Sequence, residues 1–285
     1  MRTTIAGLGV VVAALVLAMA TPAQAETAYE RGKYLMDSIV ACGNCHTAQT
    51  PKGPVPGREL AGGTRFDEPP FTAYASNVTP DRETGIGAWT DAQIVAAIRE
   101  GRRPDGSLIG PPMPIELYRG MSDGDVKAIV AYLRKVKPVR NTVPKSVYRI
   151  TLPPNYGPPL GAVAEVPRAN KLVYGAYLAG PLGHCIECHS PMVDGRRDLS
   201  RVGAGGPGIQ GPWGVAMPPN LTSDRDHGLG KWTDADIKRA ITKGIGQHGR
   251  KLSPPMAYHY YARIRTADLD ALVAYLRSLK PQQTP

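Results

Sequence analysis

Cys42-Gly43-Asn44-Cys45-His46 returns 143 positions later as Cys185-Ile186-Glu187-Cys188-His189, and these two pentapeptides contain all four cysteines of the 285-residue sequence. Two thiols three positions apart at a helix start can reach both vinyl groups of one heme and form thioethers. The adjacent imidazole then falls under the iron as its proximal ligand. Three other readings of the cysteines fit less well. A structural zinc site wants its pairs roughly 15–20 residues apart, whereas Cys45 and Cys185 stand 140 apart. A redox dithiol of thioredoxin type needs a strand pattern that is missing. A disulfide over a three-residue step is a poor staple and leaves His46 and His189 unexplained. The residues therefore imply two covalent hemes c, one at each motif.

The same offset runs through the chain. Asn77 and Asn220, Trp89 and Trp232, Met113 and Met256, and Leu133 and Leu276 are each 143 positions apart, which a duplicated module explains and chance does not. Module one is placed at 26–138 and module two at 170–285. Between them residues 139–169 hold six prolines and read as an extended connector, with Val147, Ile150 and Leu152 available to pack over the modules.

Val126, Ile129, Val130 and Leu133 fall at i, i+3, i+4 and i+7, as do Leu269, Leu272, Val273 and Leu276, so each module closes with an amphipathic helix that Pro138 or Pro281 stops. A shorter helix starts at Thr90, with Gln93 completing a capping box, and again at Thr233 with Asp236. A third is expected before each cysteine pair, at 29–38 and 171–179. No alternating strand run stands out. The expected fold is mostly α: two tandem modules, each a few helices around a covalent heme, with long Gly/Pro loops.

The sixth iron ligand separates electron carriage from heme chemistry. Met113 lies in Gly110-Pro111-Pro112-Met113-Pro114 and Met256 in Ser253-Pro254-Pro255-Met256-Ala257, and no other methionine of the mature chain has a methionine at the 143 offset. A thioether favours the ferrous state, and flanking prolines hold the loop rigid. Met121 and Met217 are the reserve candidates. His184, His227, His248 and His259 have no histidine counterpart and read as surface or hydrogen-bonded groups, with His184 adjoining the second attachment site. Between cysteines and methionine run two matching loops, 77–90 and 220–233. Their glycines let backbone approach a flat ring, and the amide of Asn77 or Asn220 or the indole N–H of Trp89 or Trp232 could satisfy a propionate. The competing reading has each tryptophan pin the following helix.

Arg2, the apolar run from Ile5 to Ala20 and Ala23-Gln24-Ala25 have the pattern of a cleaved secretion signal over residues 1–25, which places the mature protein in the periplasm. No later stretch is comparably apolar, so any membrane association is expected to be peripheral. The net charge of +10 would suit nucleic acid in a cytosolic protein. Export and the lack of a basic run interleaved with aromatics exclude that class.

The paired Cys-x-x-Cys-His motifs, the Asn-x-Thr…Gly-x-Gly-x-Trp-Thr loops, the Pro-Pro-Met strings and the closing Ala-Tyr-Leu-Arg helices (131–134 and 274–277) resemble the multiheme class I cytochrome c subunits of bacterial periplasmic alcohol, gluconate and sorbitol dehydrogenases. The resemblance covers the mature chain apart from the connector. It implies helices wrapping each heme, ligation by His46 with Met113 and by His189 with Met256, and transfer of electrons from a dehydrogenase to another cytochrome, an oxidase or quinone. Those subunits typically carry three modules, where this sequence has two. The leading expectation is a non-catalytic diheme electron carrier. The alternative is a diheme peroxidase, which needs one iron with an open position and is disfavoured by two intact Met strings. A heme-based sensor would need a fused signalling domain, and none is present.

Overall fold

A computed structural model describes residues 25–50, 53–211 and 214–284. The secretion signal expected at 1–25 therefore lies, but for Ala25, outside the described residues.

Ten α-helices and nine short strands occur among the described residues, in two matching series. The first half holds α1 (Ala28–Asp37), α2 (Gly43–His46), β1 (Gln49–Thr50), β2 (Gly53–Pro54), β3 (Arg65–Glu68), β4 (Phe71–Tyr74), α3 (Asp91–Glu100), α4 (Ile115–Tyr118) and α5 (Asp123–Leu133). Then comes β5 (Val147–Tyr148), followed in the second half by α6 (Lys171–Tyr177), α7 (Cys185–Cys188), β6 (Met192–Val193), β7 (Arg196–Arg197), β8 (Ile209–Gly211), β9 (Gly214–Ala216), α8 (Asp234–Lys243), α9 (Tyr258–Tyr261) and α10 (Thr266–Ser278). The order is the same in both halves, and only β5 lacks a counterpart.

Each half is closed by its first and last helices, α1 crossing α5 and α6 crossing α10. Their contact faces are the i, i+3, i+4 stripes: Leu35, Met36, Val126, Ile129 and Val130 are buried in one half, Leu269, Leu272, Val273 and Leu276 in the other. The crossing needs a residue without a side chain. A Cβ on Gly32 would stand 1.9 Å from the Ala128 carbonyl oxygen, and one on Gly175, its counterpart, 2.1 Å from that of Ala271. Capping boxes start α3 at Thr90/Gln93 and α8 at Thr233/Asp236, and left-handed Gly101 and Gly244 end them.

Three expectations are corrected. The helix at 171–179 is α-helical only to Tyr177 and widens into a π-helical turn, Leu178–Leu182, around Pro181. Both closing helices stop short of their prolines, at Leu133 and Ser278. Strands are present where none was expected: β3 and β4 form a hairpin in the register Phe66↔Ala73, and β5 adds to it as a third strand through Phe71↔Tyr148. Strands this short carry too little alternation to read from sequence. The connector straps the first half, with Tyr156 donating to the Ile109 carbonyl at 2.7 Å and Glu165 accepting from Ser122 Oγ and the Gly124 amide.

The halves share one apolar core, in which Ile39, Tyr118 and Met121 of the first pack with Leu178, Leu182 and Ile264 of the second. A reciprocal polar exchange pins them. Tyr34 Oη donates to Asp268 at 2.6 Å and accepts from the Arg265 amide at 3.1 Å; its counterpart Tyr177 donates to Asp125 at 2.8 Å and accepts from the Ser122 amide at 3.0 Å. Equivalent residues thus make the same bonds in both directions, as in a pseudo-twofold dimer. Arg31 breaks the symmetry: it forks onto Asp125 at 2.7 and 3.0 Å, where the second half has Tyr174.

Candidate heme-binding site

Both motif histidines are oriented by main-chain oxygen. Nδ1 of His46 lies 2.7 Å from the Ser76 carbonyl, and Nδ1 of His189 lies 2.7 Å from that of Pro219, the equivalent position. A carbonyl only accepts, so Nδ1 bears the proton and Nε2 presents a lone pair. Burial lowers both imidazole pKa values, with the carbonyl bond opposing, which favours the neutral ring that a metal requires. The backbone is held as well: Gly62 N–H donates to the His46 carbonyl at 2.8 Å and Gly205 N–H to that of His189 at 3.0 Å.

The four cysteines carry free thiols. Burial pushes Cys42 and Cys188 up to about 12 and Cys45 and Cys185 to about 11, so these thiols are held in the S–H form at neutral pH. Each attachment helix is preceded by a non-glycine residue in the left-handed region, Ala41 at φ 50° and His184 at φ 40°. Such residues cost about 1–3 kcal/mol and persist where surrounding structure imposes them.

Met113 and Met256 occupy matching places immediately before α4 and α9, half-buried against the apolar core, and the preceding Pro-Pro bond is cis in both. The reserve candidates are placed differently: Met121 is wholly enclosed in the core, and Met217 is 67 % exposed on the surface.

Trp89 and Trp232 are half-buried beside the core, and neither indole N–H has a protein acceptor among the described residues. Their carbonyls accept from Arg134, the residue that caps α5, and from Arg277 of α10, which also reach the Ile86 and Leu229 carbonyls and Asp91 and Asp234. Sequence reading missed this clamp, although both arginines close the quoted Ala-Tyr-Leu-Arg strings. The asparagines are corrected. Asn77 donates through Nδ2 to the Val139 carbonyl at 2.8 Å and Thr84 Oγ1 at 3.1 Å, and its Oδ1 accepts from the Thr79 amide and hydroxyl. Asn220 repeats the arrangement with Gln282, Thr284 and Thr222. With both N–H bonds and the carbonyl engaged, each is a buried peg for its loop and has no hydrogen left for a propionate.

Two buried tyrosines also escaped the sequence reading. Tyr118 lies within electrostatic range of Cys42 and Cys45, and its counterpart Tyr261 within range of Cys185, Cys188 and also Cys45. The attachment motif of one half leans on the methionine loop of the other: Asn44 Nδ2 donates to the Pro255 carbonyl at 3.1 Å, and Gly43 lies under Tyr260, whose hydroxyl would be 2.2 Å from a Cβ there. On the other side the His184 ring meets the edge of Tyr118 at 5.9 Å. Both attachment sites therefore lie at the junction of the halves.

Oriented imidazole, paired thiols, a half-buried methionine and a half-buried apolar rim with a free indole donor fit a covalently attached heme in each half, and that set defines a c-type cytochrome. A family model described as cytochrome c matches residues 173–280. The chain is 30 % identical to a diheme cytochrome c-type protein of Cereibacter sphaeroides over 249 residues, which covers 83 % of this chain and 81 % of that protein. It belongs to that family of c-type cytochromes. It is also 33 % identical to the fructose dehydrogenase cytochrome subunit of Gluconobacter japonicus over 91 % of this chain and 54 % of that one. Identity to the cytochrome c subunit of the quinone-dependent alcohol dehydrogenase of Gluconobacter oxydans is 30 %, over 89 % of this chain and 55 % of that one. The chain spans about half the length of those two dehydrogenase subunits.

Proposed function

We propose that this is a periplasmic diheme carrier that takes single electrons from a dehydrogenase and passes them to a downstream cytochrome, oxidase or quinone. The observation that carries the reading is the proximal histidine held by main-chain carbonyl at 2.7 Å in both halves, each beside a free thiol pair. The bound heme supplies the Fe(III)/Fe(II) couple. The chain's own part is to present Nε2 of His46 and His189, which with Met113 and Met256 would hold the iron of each heme. Trp89 and Trp232 pack against the apolar core with free N–H groups that would be available to a propionate. Rigid loops and enclosed rings keep the rearrangement accompanying each one-electron step small. The similarity to dehydrogenase cytochrome subunits supports the donor class.

The test is to purify the exported protein and measure its heme and its spectra. Two hemes per chain, low-spin in both oxidation states and indifferent to carbon monoxide, are expected. Met113→Ala should open one site and Met256→Ala the other, each adding one high-spin, carbon monoxide-binding heme. A wild-type protein with one heme, or with an open iron, would refute the carrier reading.

A further inference from the structure

The repeat extends to strand register, and one difference between the halves stands out against it. The hairpin β8–β9 pairs Ile209↔Ala216, Gln210↔Val215 and Gly211↔Gly214, which are the pairs Phe66↔Ala73, Asp67↔Thr72 and Glu68↔Phe71 of β3–β4 shifted by 143. In the first half a third strand, β5, covers the outer edge of β4. Tyr148 packs on Phe71 with ring centroids 6.2 Å apart, the Arg149 amide donates to the Pro70 carbonyl at 2.8 Å, and its guanidinium caps the Pro69 and Glu68 carbonyls. In the second half the sheet has two strands, and no described residue lies along β9 as Val147 and Tyr148 lie along β4.

The direction of the free groups follows from the template. Tyr74 N–H reaches Ser146 Oγ on the connector side, and alternate residues of a strand address the same edge. Thr72 and Tyr74 therefore face β5, and their counterparts Val215 and Met217 turn N–H and C=O to the open edge. The side chains have changed to match. Where the first half has Gln49, Thr50 and Thr72, the second has Met192, Val193 and Val215, exposed by 45, 56 and 55 %. Arg196 and Arg197 of β7 stand beside Met192 and Val193 and enter no ion pair among the described residues. Both hairpins are rooted at the second heme site: β6 begins three residues after His189, and β9 ends three residues before Pro219, whose carbonyl orients that histidine.

We infer that the outer edge of β9 is a docking strand, on which an extended segment of a redox partner protein adds as β5 adds to β4. The segment presents β-branched or aromatic side chains at alternate positions to Val215 and Met217, and acidic residues to Arg196 and Arg197. Strand addition takes its affinity from main-chain hydrogen bonds and its selectivity from alternate side chains, and an open edge without a covering element is otherwise an aggregation hazard. Docking there sets the partner beside the chain segments that hold and orient His189, so the inference rests on the carrier reading above.

The probe is a synthetic peptide with the sequence of residues 145–152, made with and without two added glutamates, and the readout is amide hydrogen exchange of the holoprotein. Peptide at about ten times its Kd should slow exchange across 209–217 roughly tenfold and leave β4 unchanged. The glutamates should tighten binding a few-fold, and Arg196→Ala with Arg197→Ala should remove that gain. Val215→Pro, which deletes an edge N–H, should abolish the slowing. The same peptide N-methylated at the valine of position 147 should fail on unaltered protein, so the outcome does not hang on one variant folding. No slowing at millimolar peptide, or slowing that survives N-methylation, overturns the inference. So does a concentration-dependent dimer in which β9 is already protected, since that assigns the edge to a second copy. Heme content read on the same samples separates failure of the carrier reading from failure of this one.

Discussion

Replacing Gly32 by alanine sets two effects of opposite sign against each other. In an exposed helix interior the change would stabilise by about 1 kcal/mol, because glycine has the greater backbone entropy to lose. At the α1–α5 crossing the new methyl would stand 1.9 Å from the Ala128 carbonyl oxygen. A carbon meets such an oxygen at about 3.3 Å, so the helices must separate by roughly 1.4 Å. Over-packing of this kind costs about 1–3 kcal/mol. The separation also pulls on the fork from Arg31, the residue before Gly32, to Asp125 on the partner helix. Loss of a buried pair of this sort costs about 3–5 kcal/mol, so partial loosening adds to the penalty. The net expectation for Gly32→Ala is destabilisation by about 2–4 kcal/mol. Gly175→Ala, with a 2.1 Å clash but Tyr174 in place of the arginine, should lose less, about 0–2 kcal/mol once the propensity gain is set against the over-packing cost. For a chain of this size whose halves share a core, 1 kcal/mol is expected to move the midpoint by about 2–4 °C. Thermal unfolding of the holoprotein, followed by helix dichroism, should show a fall of roughly 4–16 °C for Gly32→Ala and of no more than about 8 °C for Gly175→Ala. A midpoint for Gly32→Ala at or above wild type would refute the close-crossing argument.

Other outcomes follow from the junction and the loops. Tyr34→Phe should cost more than Tyr177→Phe in chemical unfolding, because Asp125 keeps Arg31 when Tyr177 Oη is lost, whereas Tyr34 is the one hydrogen-bond partner of Asp268 among the described residues. A charge-assisted bond of this kind is worth about 1.5–3 kcal/mol, so equal losses would show that the exchange is not what holds the halves. Burial, reinforced by the neighbouring carboxylates, raises the pKa of both tyrosines. Above about pH 10 the unfolded chain releases these protons while the folded one retains them, so stability should be whole below pH 10 and fall as pH rises beyond it. The double Phe variant should show a shallower alkaline fall; an unchanged slope would count against the assignment. Arg134→Ala removes the clamp on the Ile86 and Trp89 carbonyls and should speed amide exchange in 84–92 with no equivalent change at 227–235, where Arg277 still holds the second loop. Equal change in both loops would argue against a local clamp.

Residue types at fixed spacing made much of this protein legible from its sequence. Two Cys-x-x-Cys-His strings are legible locally, because thiols and imidazole lie on one turn of helix. The stripes on α5 and α10 and the boxes at Thr90 and Thr233 are equally local, since a helix reports its buried face and its start within a few residues. What stayed hidden depends on partners far along the chain. The oxygens that orient His46 and His189 belong to the main chain of Ser76 and Pro219, and a carbonyl leaves no mark in the residue type. Asn77 looked like a cofactor donor because an amide can serve either use, and only the path of the chain through Val139 and Thr84 engages both of its hydrogens. The sequence by itself determined the 143-residue repeat and where most of the helices lie. The tertiary structure decided how the halves meet, with Tyr34 and Tyr177 exchanging carboxylates across the junction and β4 covered while β9 is open. The reason is physical: periodicity encodes which face of an element is apolar, whereas the choice of partner for that face is fixed only when distant segments close-pack and every buried polar group finds its match.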